Sequence, residues 1–270
     1  IYEMGRDADR YLDLAMQYLP YLGTVKYSAE ELQQELFKRG LEFNASNRND
    51  RIYMSLSGLE ESLEDGIQLF DHILNKAEID DEALENLVND IITKRDNNKK
   101  DKRKILRSAL YNYAKYGEHS SYTNQLSTEE LKSIDAIALV QKIHGLKKFQ
   151  HNIFFYGDTK LSKLIDLIEE HRNLPEQLMP PIPNKDFTEQ ETTGKKLYFV
   201  NFPMVQAEIM LLSKGTEGFS IDEYIKSEFY NTYFGFGLSS IVFQEIRESR
   251  ALAYSAYAYS GSPSEPDKSH

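Results

Sequence analysis

The sequence predicts a duplicated protein that mixes helices and strands, of the α+β class, and three observations carry that prediction. Apolar residues at 3.6 spacing mark amphipathic helices. Strict alternation at Ile52, Met54 and Leu56, with Arg51, Tyr53 and Ser55 opposite, marks a half-buried strand. A unit of helix, Tyr-x-Gly, helix and extended segment occurs at Tyr21-x-Gly23 and again at Tyr233-x-Gly235, 212 residues later. One recurrence at that spacing indicates a repeated domain and not a short-period solenoid.

The elements follow in order. Ser28 and Glu31 form a capping box, Leu32 and Leu36 give the apolar stripe, and Gly40 supplies the stop, so a short helix precedes the strand at Arg51–Leu56. A helix follows that strand. Leu84, Leu87, Val88, Ile91 and Ile92 define a further helix over 81–94, and the pattern resumes over 105–116. Ser127 with Glu130 caps another. The run "NIFFYGD", Asn152–Asp158, reads as a short strand ended by a Gly-Asp turn, with a return helix over 161–170.

Residues 173–196 hold four of the eight prolines, Pro175, Pro180, Pro181 and Pro183. Proline at this density denies both helix and ladder hydrogen bonds, so a stiff linker is expected there. The predicted organisation is a first domain over 1–172, a linker over 173–195, and the N-terminal part of a second domain over 196–270. In the second part "KLYFVNF" and "VQAEIMLLS" read as strands, followed by a helix capped by Ser220 with Glu223. The second copy is expected to be incomplete, and the chain to be a piece of something longer.

Composition narrows the function classes. A net charge of −11 disfavours extended nucleic-acid binding. The one basic run, "KRDNNKKDKRK" from Lys94 to Lys104, lacks interleaved aromatics and reads as a solvated junction between two helices. No apolar run reaches the length of a membrane helix, and no targeting segment is visible, so no membrane partner is expected. Cytoplasm and periplasm both remain open. With no Cys, thiolate chemistry and cysteine-ligated zinc are excluded. No two of the six histidines stand three or four residues apart, so no helix offers two imidazoles to one ion.

One stretch remains, "SSIVFQEIRESRALAYSAYAYSG" over 239–261. Arg247 near a helix end complements the helix dipole, and Tyr254 suits a strand, so helix and sheet stability alone account for both. The context is a resemblance that covers essentially the whole chain. "LAMQYLPYLGTVKYSAEELQQELFKRGLEFNASNRNDRIY", "YGEHSSY", "IFFYGDTKLSKLIDLIEEH", "VQAEIMLLSKG" and "FGFGLSSIVFQEIRESRALAYSAYAYSG" follow, in order, the landmarks of a known family. The chain resembles the pitrilysin or insulinase family of zinc metallopeptidases, whose zinc motif is His-x-x-Glu-His.

The metal motif is where it departs. Counting back from Gly23-Thr24, this chain places Leu14, Gln17 and Tyr18 at the family's His, Glu and His positions, and the later glutamate falls near Asn89 or Asp90. Leu cannot coordinate zinc, and neutral Gln cannot act as a general base.

The resemblance implies pitrilysin-type α/β sandwich domains, with helices packed on an antiparallel-rich sheet, and a role as the non-catalytic, substrate-binding half of a zinc metalloendopeptidase. Such enzymes close two halves around a peptide. Zinc then belongs to the other half, on the same polypeptide or a separate catalytic subunit, and this chain alone holds neither metal nor cofactor and is expected to be inactive. The family's arginine and tyrosine, seven apart, match Arg247 and Tyr254, which the resemblance assigns to substrate and oxyanion contacts. The alternative is an inactive scaffold or assembly subunit of the same fold.

Overall fold

A computed structural model describes residues 1–172, 174–215, 218 and 220–261. The chain divides into two compact units: Ile1–Gln190 with Val200–Glu208, and Glu191–Phe199 with the described residues from Ile209 onward.

The first unit is built around α1, Arg10–Tyr18. Asp9 caps it, its carboxylate accepting from the amides of Tyr11 and Leu12. The apolar face buries Leu12, Leu14, Ala15, Met16 and Tyr18. Past a single turn at Leu19–Tyr21, α2 (Ala29–Lys38) starts at Ser28 with the predicted capping box, both reciprocal bonds being formed. It stops at Gly40, whose φ of 61° is one a side chain disfavours.

The strands β1, Leu41–Asn47, and β2, Ile52–Gly58, form an antiparallel hairpin with Leu41 opposite Gly58 and Asn47 opposite Ile52. Reciprocal bonds of 3.0 Å between Tyr2 and Ile52 extend this layer beyond β2. Ile1 and Asn152 exchange bonds of 2.8 and 2.9 Å, and Phe149 bridges to Met179. The order across the layer is therefore 41–47, 52–58, 1–2, 149–152, 179.

Helices cover it: α3 (Leu63–Lys76), α4 (Asp81–Asn98), α5 (Lys102–Lys104), a π-type stretch Ile105–Leu110, α6 (Tyr111–Tyr116), α7 (Thr128–Lys132), α8 (Ala136–Gly145) and α9 (Leu161–His171). α1 packs on α8 through a core that includes Leu139, Val140 and Ile143. Arg10 forks onto the Glu130 carboxylate at 2.8 and 3.1 Å, tying α1 to α7. Ile67 of α3 meets Leu164 and Leu167 of α9 in a separate apolar cluster.

In the second unit α10, Ile221–Tyr230, is capped by Ser220, whose hydroxyl accepts from the Glu223 amide at 3.1 Å. Two π-type stretches follow, Asn231–Gly235 and Phe243–Ser249.

The α+β class holds, while the strand set is smaller than the sequence predicts. Of "NIFFYGD" only Asn152 is paired. Beyond it the main chain has no ladder neighbour among the described residues, and Phe154 and Tyr156 face solvent. The predicted strands at 196–202 and 205–213, and the run at 255–259, likewise form no strand. Alternating apolar residues favour an extended chain, but a strand exists only where a second chain takes its amides and carbonyls. None of the described helices is long and apolar enough to cross a membrane.

Three histidines of the first unit sit below their ordinary pKa of 6.5, chiefly because burial penalises the charged ring. His151 shows why: Nδ1–H donates to the Phe149 carbonyl at 2.9 Å and Nε2 accepts from Arg172 at 2.9 Å, so a second proton would face a guanidinium. His72 lies by Thr24 at 2.9 Å, and His144 by the Ala77 carbonyl at 3.1 Å. The unfolded chain takes up protons first as pH falls through 6.5, so the histidine contribution is complete above that value and lost below it. Chemical denaturation at neutral and mildly acidic pH should show the midpoint falling with acidity, and His151→Gln should shallow that fall. A midpoint that stays level would contradict the neutral assignment.

Candidate functional site

Arg247 and Tyr254 meet. Arg247 projects from the last turn of Phe243–Ser249, where a cation suits the helix dipole. Ser240, nearly fully buried, starts this helical run, its hydroxyl accepting from the Phe243 amide. At the far end the chain reverses at Ala251, whose φ of 48° is unusual for a residue with a Cβ. The Ala251 amide bonds the Arg247 carbonyl at 3.1 Å and the Leu252 amide that of Ile246 at 2.9 Å. This reversal brings Tyr254 back over the helix it has just left.

The guanidinium carbon of Arg247 lies 4.7 Å from the Phe243 ring centroid and 5.1 Å from that of Tyr254. Both distances fall within cation–π range, so the planar cation lies against both rings. The Glu248 carboxylate, 3.7 Å from Nε, compensates its charge only loosely. The Tyr254 side chain is 86% exposed. Chemically the site offers a fork of N–H donors and a phenol donor, both suited to carbonyl oxygen or developing negative charge.

A third residue, which sequence reasoning missed, fixes the segment carrying Tyr254. Asn231 is buried, and its amide accepts from the Ser260 amide at 2.7 Å and donates to the Ser260 carbonyl at 3.0 Å. It thus stands in for a strand neighbour. The Gly235 carbonyl accepts from the Ala258 amide at 3.2 Å, and a Cβ on Gly235 would lie 2.0 Å from the Ala258 oxygen. The Tyr-x-Gly unit therefore needs its glycine for close approach. In the first copy the Gly23 carbonyl likewise accepts from a distant amide, that of Glu78 at 3.1 Å, while a Cβ there would meet the nearby Tyr27 carbonyl oxygen at 2.7 Å. The signal for Asn231 lay in the repeat itself: 212 residues earlier stands buried Leu19.

The positions that resemble zinc ligands are structural. Leu14 is 2% exposed within the α1 core. The Tyr18 hydroxyl donates to the Asp80 carbonyl at 2.6 Å and accepts from the Asp80 amide at 2.8 Å, fixing the residue that caps α4. Gln17 points outward and donates to Asp13 at 3.1 Å, while Asn47 donates to that carboxylate at 2.9 Å. Burial pushes the Asp13 carboxyl up. Asn89 and Asp90 are exposed on α4. Among the described residues no group of three His, Cys, Asp or Glu could hold a metal. The donor set does not fit zinc.

The architecture is of the α+β class, and the positions that the sequence resemblance aligns with a metal motif hold two core side chains, Leu14 and Tyr18, and the exposed Gln17. Two family models match within the chain, the insulinase model of peptidase family M16 over residues 16–125 and the peptidase M16 inactive domain over 149–267. The chain belongs to the insulinase family, peptidase family M16. It is 26% identical over 255 residues to an uncharacterized zinc protease of Mycobacterium leprae, covering 90% of this chain and 55% of that protein. The chain thus spans about half the length of that curated relative. Its fold is similar to that of a conserved protein from Enterococcus faecalis V583, with TM-score 0.66, 16% identity, and coverage of 96% of this chain and 64% of that one. A peptidase M16 inactive domain from Pseudomonas fluorescens aligns with TM-score 0.61 and 17% identity, over 95% of this chain and 63% of that one.

Proposed function

We propose that this chain is the non-catalytic, substrate-binding part of a zinc metalloendopeptidase, and that Arg247 and Tyr254 are its contribution to the active site. The observation that carries the reading is the stacking of the Arg247 guanidinium on Tyr254, which joins the two residues into one donor surface. The zinc that supplies hydrolytic chemistry belongs to another part of the protein or to a catalytic subunit, since Leu14, Gln17 and Tyr18 cannot hold it. In the closed enzyme Arg247 binds the peptide backbone, and the phenol donates to the oxygen on which charge develops at the scissile carbonyl. Fixed donors in an enclosed, low-dielectric chamber stabilise such charge strongly.

Removing one oxyanion donor costs about 10²–10³ in turnover in comparable sites. In the full-length enzyme Tyr254→Phe should therefore lower kcat by roughly two orders of magnitude. Arg247→Ala should raise KM and lower kcat together, and zinc content should not change in either variant. Full activity in both would remove the pair from the mechanism.

A further inference from the structure

We propose that the turn between α4 and α5 is a docking surface for an acidic segment of a partner protein. From Lys94 to Arg107 the chain carries eight cations and two carboxylates, within a protein of net charge −11. The fold consumes both carboxylates. Asp96 pairs with Lys99 at 3.0 Å, and Asp101 caps α5, accepting from the amides of Arg103 and Lys104 at 2.8 and 3.3 Å.

Besides Lys99 and Arg107, two further cations are also engaged. Arg95 donates to the Leu126 carbonyl at 2.7 Å and to Gln125 at 3.2 Å, and Lys102 pairs with Glu208 at 3.0 Å. Lys94, Lys100, Arg103 and Lys104 are exposed and form no ion pair among the described residues.

Helix stability accounts for only half of this cluster. Lys99 and Lys100 follow the C-terminus of α4, where the helix dipole favours positive charge. Arg103 and Lys104 stand in the first turn of a helical stretch that runs from Lys102 to Tyr116. There the dipole is positive and cations are unfavourable. Among the described residues the Asp101 cap offsets this charge in part and neither side chain forms an ion pair, whereas an incoming carboxylate meets the side chains and the helix start with one sign of charge.

The surface is also preformed. Amides of Lys99, Lys100 and Asp101 bond back to the carbonyls of Arg95, Asn97 and Asn98 at 3.2, 3.0 and 3.3 Å, so the turn presents its cations from a fixed backbone. Its extent favours a short acidic peptide segment over nucleic acid. The patch is one turn long, and a polynucleotide leaving it would run onto a surface of its own sign.

The test uses the full-length protein and a fluorescein-labelled oligoglutamate peptide, followed by anisotropy between about 50 and 200 mM salt. Wild type should bind, more weakly at the higher salt. Lys100→Glu with Arg103→Glu and Lys104→Glu should weaken binding at least about tenfold, and the charge-keeping Lys100→Arg with Lys104→Arg should retain it. Thermal melts confirm that the reversal variant is folded, and the neutral Lys100→Gln with Lys104→Gln serves if it is not. The proposal is overturned if wild type does not bind, if reversal leaves binding unchanged, or if a single-stranded oligonucleotide binds more tightly than the peptide. It is also overturned if sedimentation shows that the cluster serves self-association instead.

Discussion

Gly235→Ala is expected to unseat the segment that carries Tyr254. The new Cβ would sit 2.0 Å from the Ala258 carbonyl oxygen, and the obstruction is backbone, which cannot swing away as a side chain could. Relief requires residues 254–260 to move off the helical run, breaking the bond from Ala258 to Gly235 and straining both bonds between Asn231 and Ser260. Misplacing a reacting or binding group by about 1 Å can cost some 10²-fold in rate, so under the proposed function turnover of the full-length protein should fall by about that factor. Hydrogen exchange supplies an independent measure, with the Ala258 and Ser260 amides losing protection. Gly194→Ala is the control, because nothing lies within 4 Å of its added Cβ. Unchanged exchange at Ser260 in Gly235→Ala would show that the segment is held in some other way.

The second large effect concerns the first unit. Installing the family's motif through Leu14→His, Gln17→Glu and Tyr18→His should not yield a zinc site. It should instead destabilise the fold. Leu14 and Tyr18 are at most 2% exposed, and exchange replaces packed carbon with imidazole nitrogen while leaving the Asp80 amide and carbonyl without their hydroxyl partner. Truncating a buried Leu costs about 2–5 kcal/mol, and orphaning a buried hydrogen-bonding group adds about 1–3 kcal/mol. For a unit of this size the sum corresponds to a drop in Tm of roughly 6–32 °C. Calorimetry with and without added zinc decides it. A variant that melts like wild type and takes up stoichiometric metal would show that these positions are interchangeable with ligands.

Local chemistry was the most legible part of this chain. Both capping boxes, at Ser28 with Glu31 and Ser127 with Glu130, form as the residues specify, because their bonds close within four residues. Helical faces such as Leu84, Leu87 and Val88 are buried as their spacing requires. The strands were less legible, since whether Phe154 or Leu211 joins a ladder depends on a neighbour that no local pattern names. At the candidate site, Arg247 and Tyr254 were visible through a resemblance, while their stacking depends on the reversal at Ala251. Asn231 escaped notice because a buried amide pairing with a main chain 29 residues away has no local signature.

The paired hydrogen bonds of Tyr18 carry an evolutionary consequence. One hydroxyl both gives to and receives from Asp80, whose side chain starts the long helix α4. A lineage acquiring histidine at this position would have to replace a helix-starting brace and refill the Leu14 slot before any benefit from metal could be selected. Each single step is harmful by itself. Placing histidine here is therefore uphill at its first step, whatever a metal could offer later.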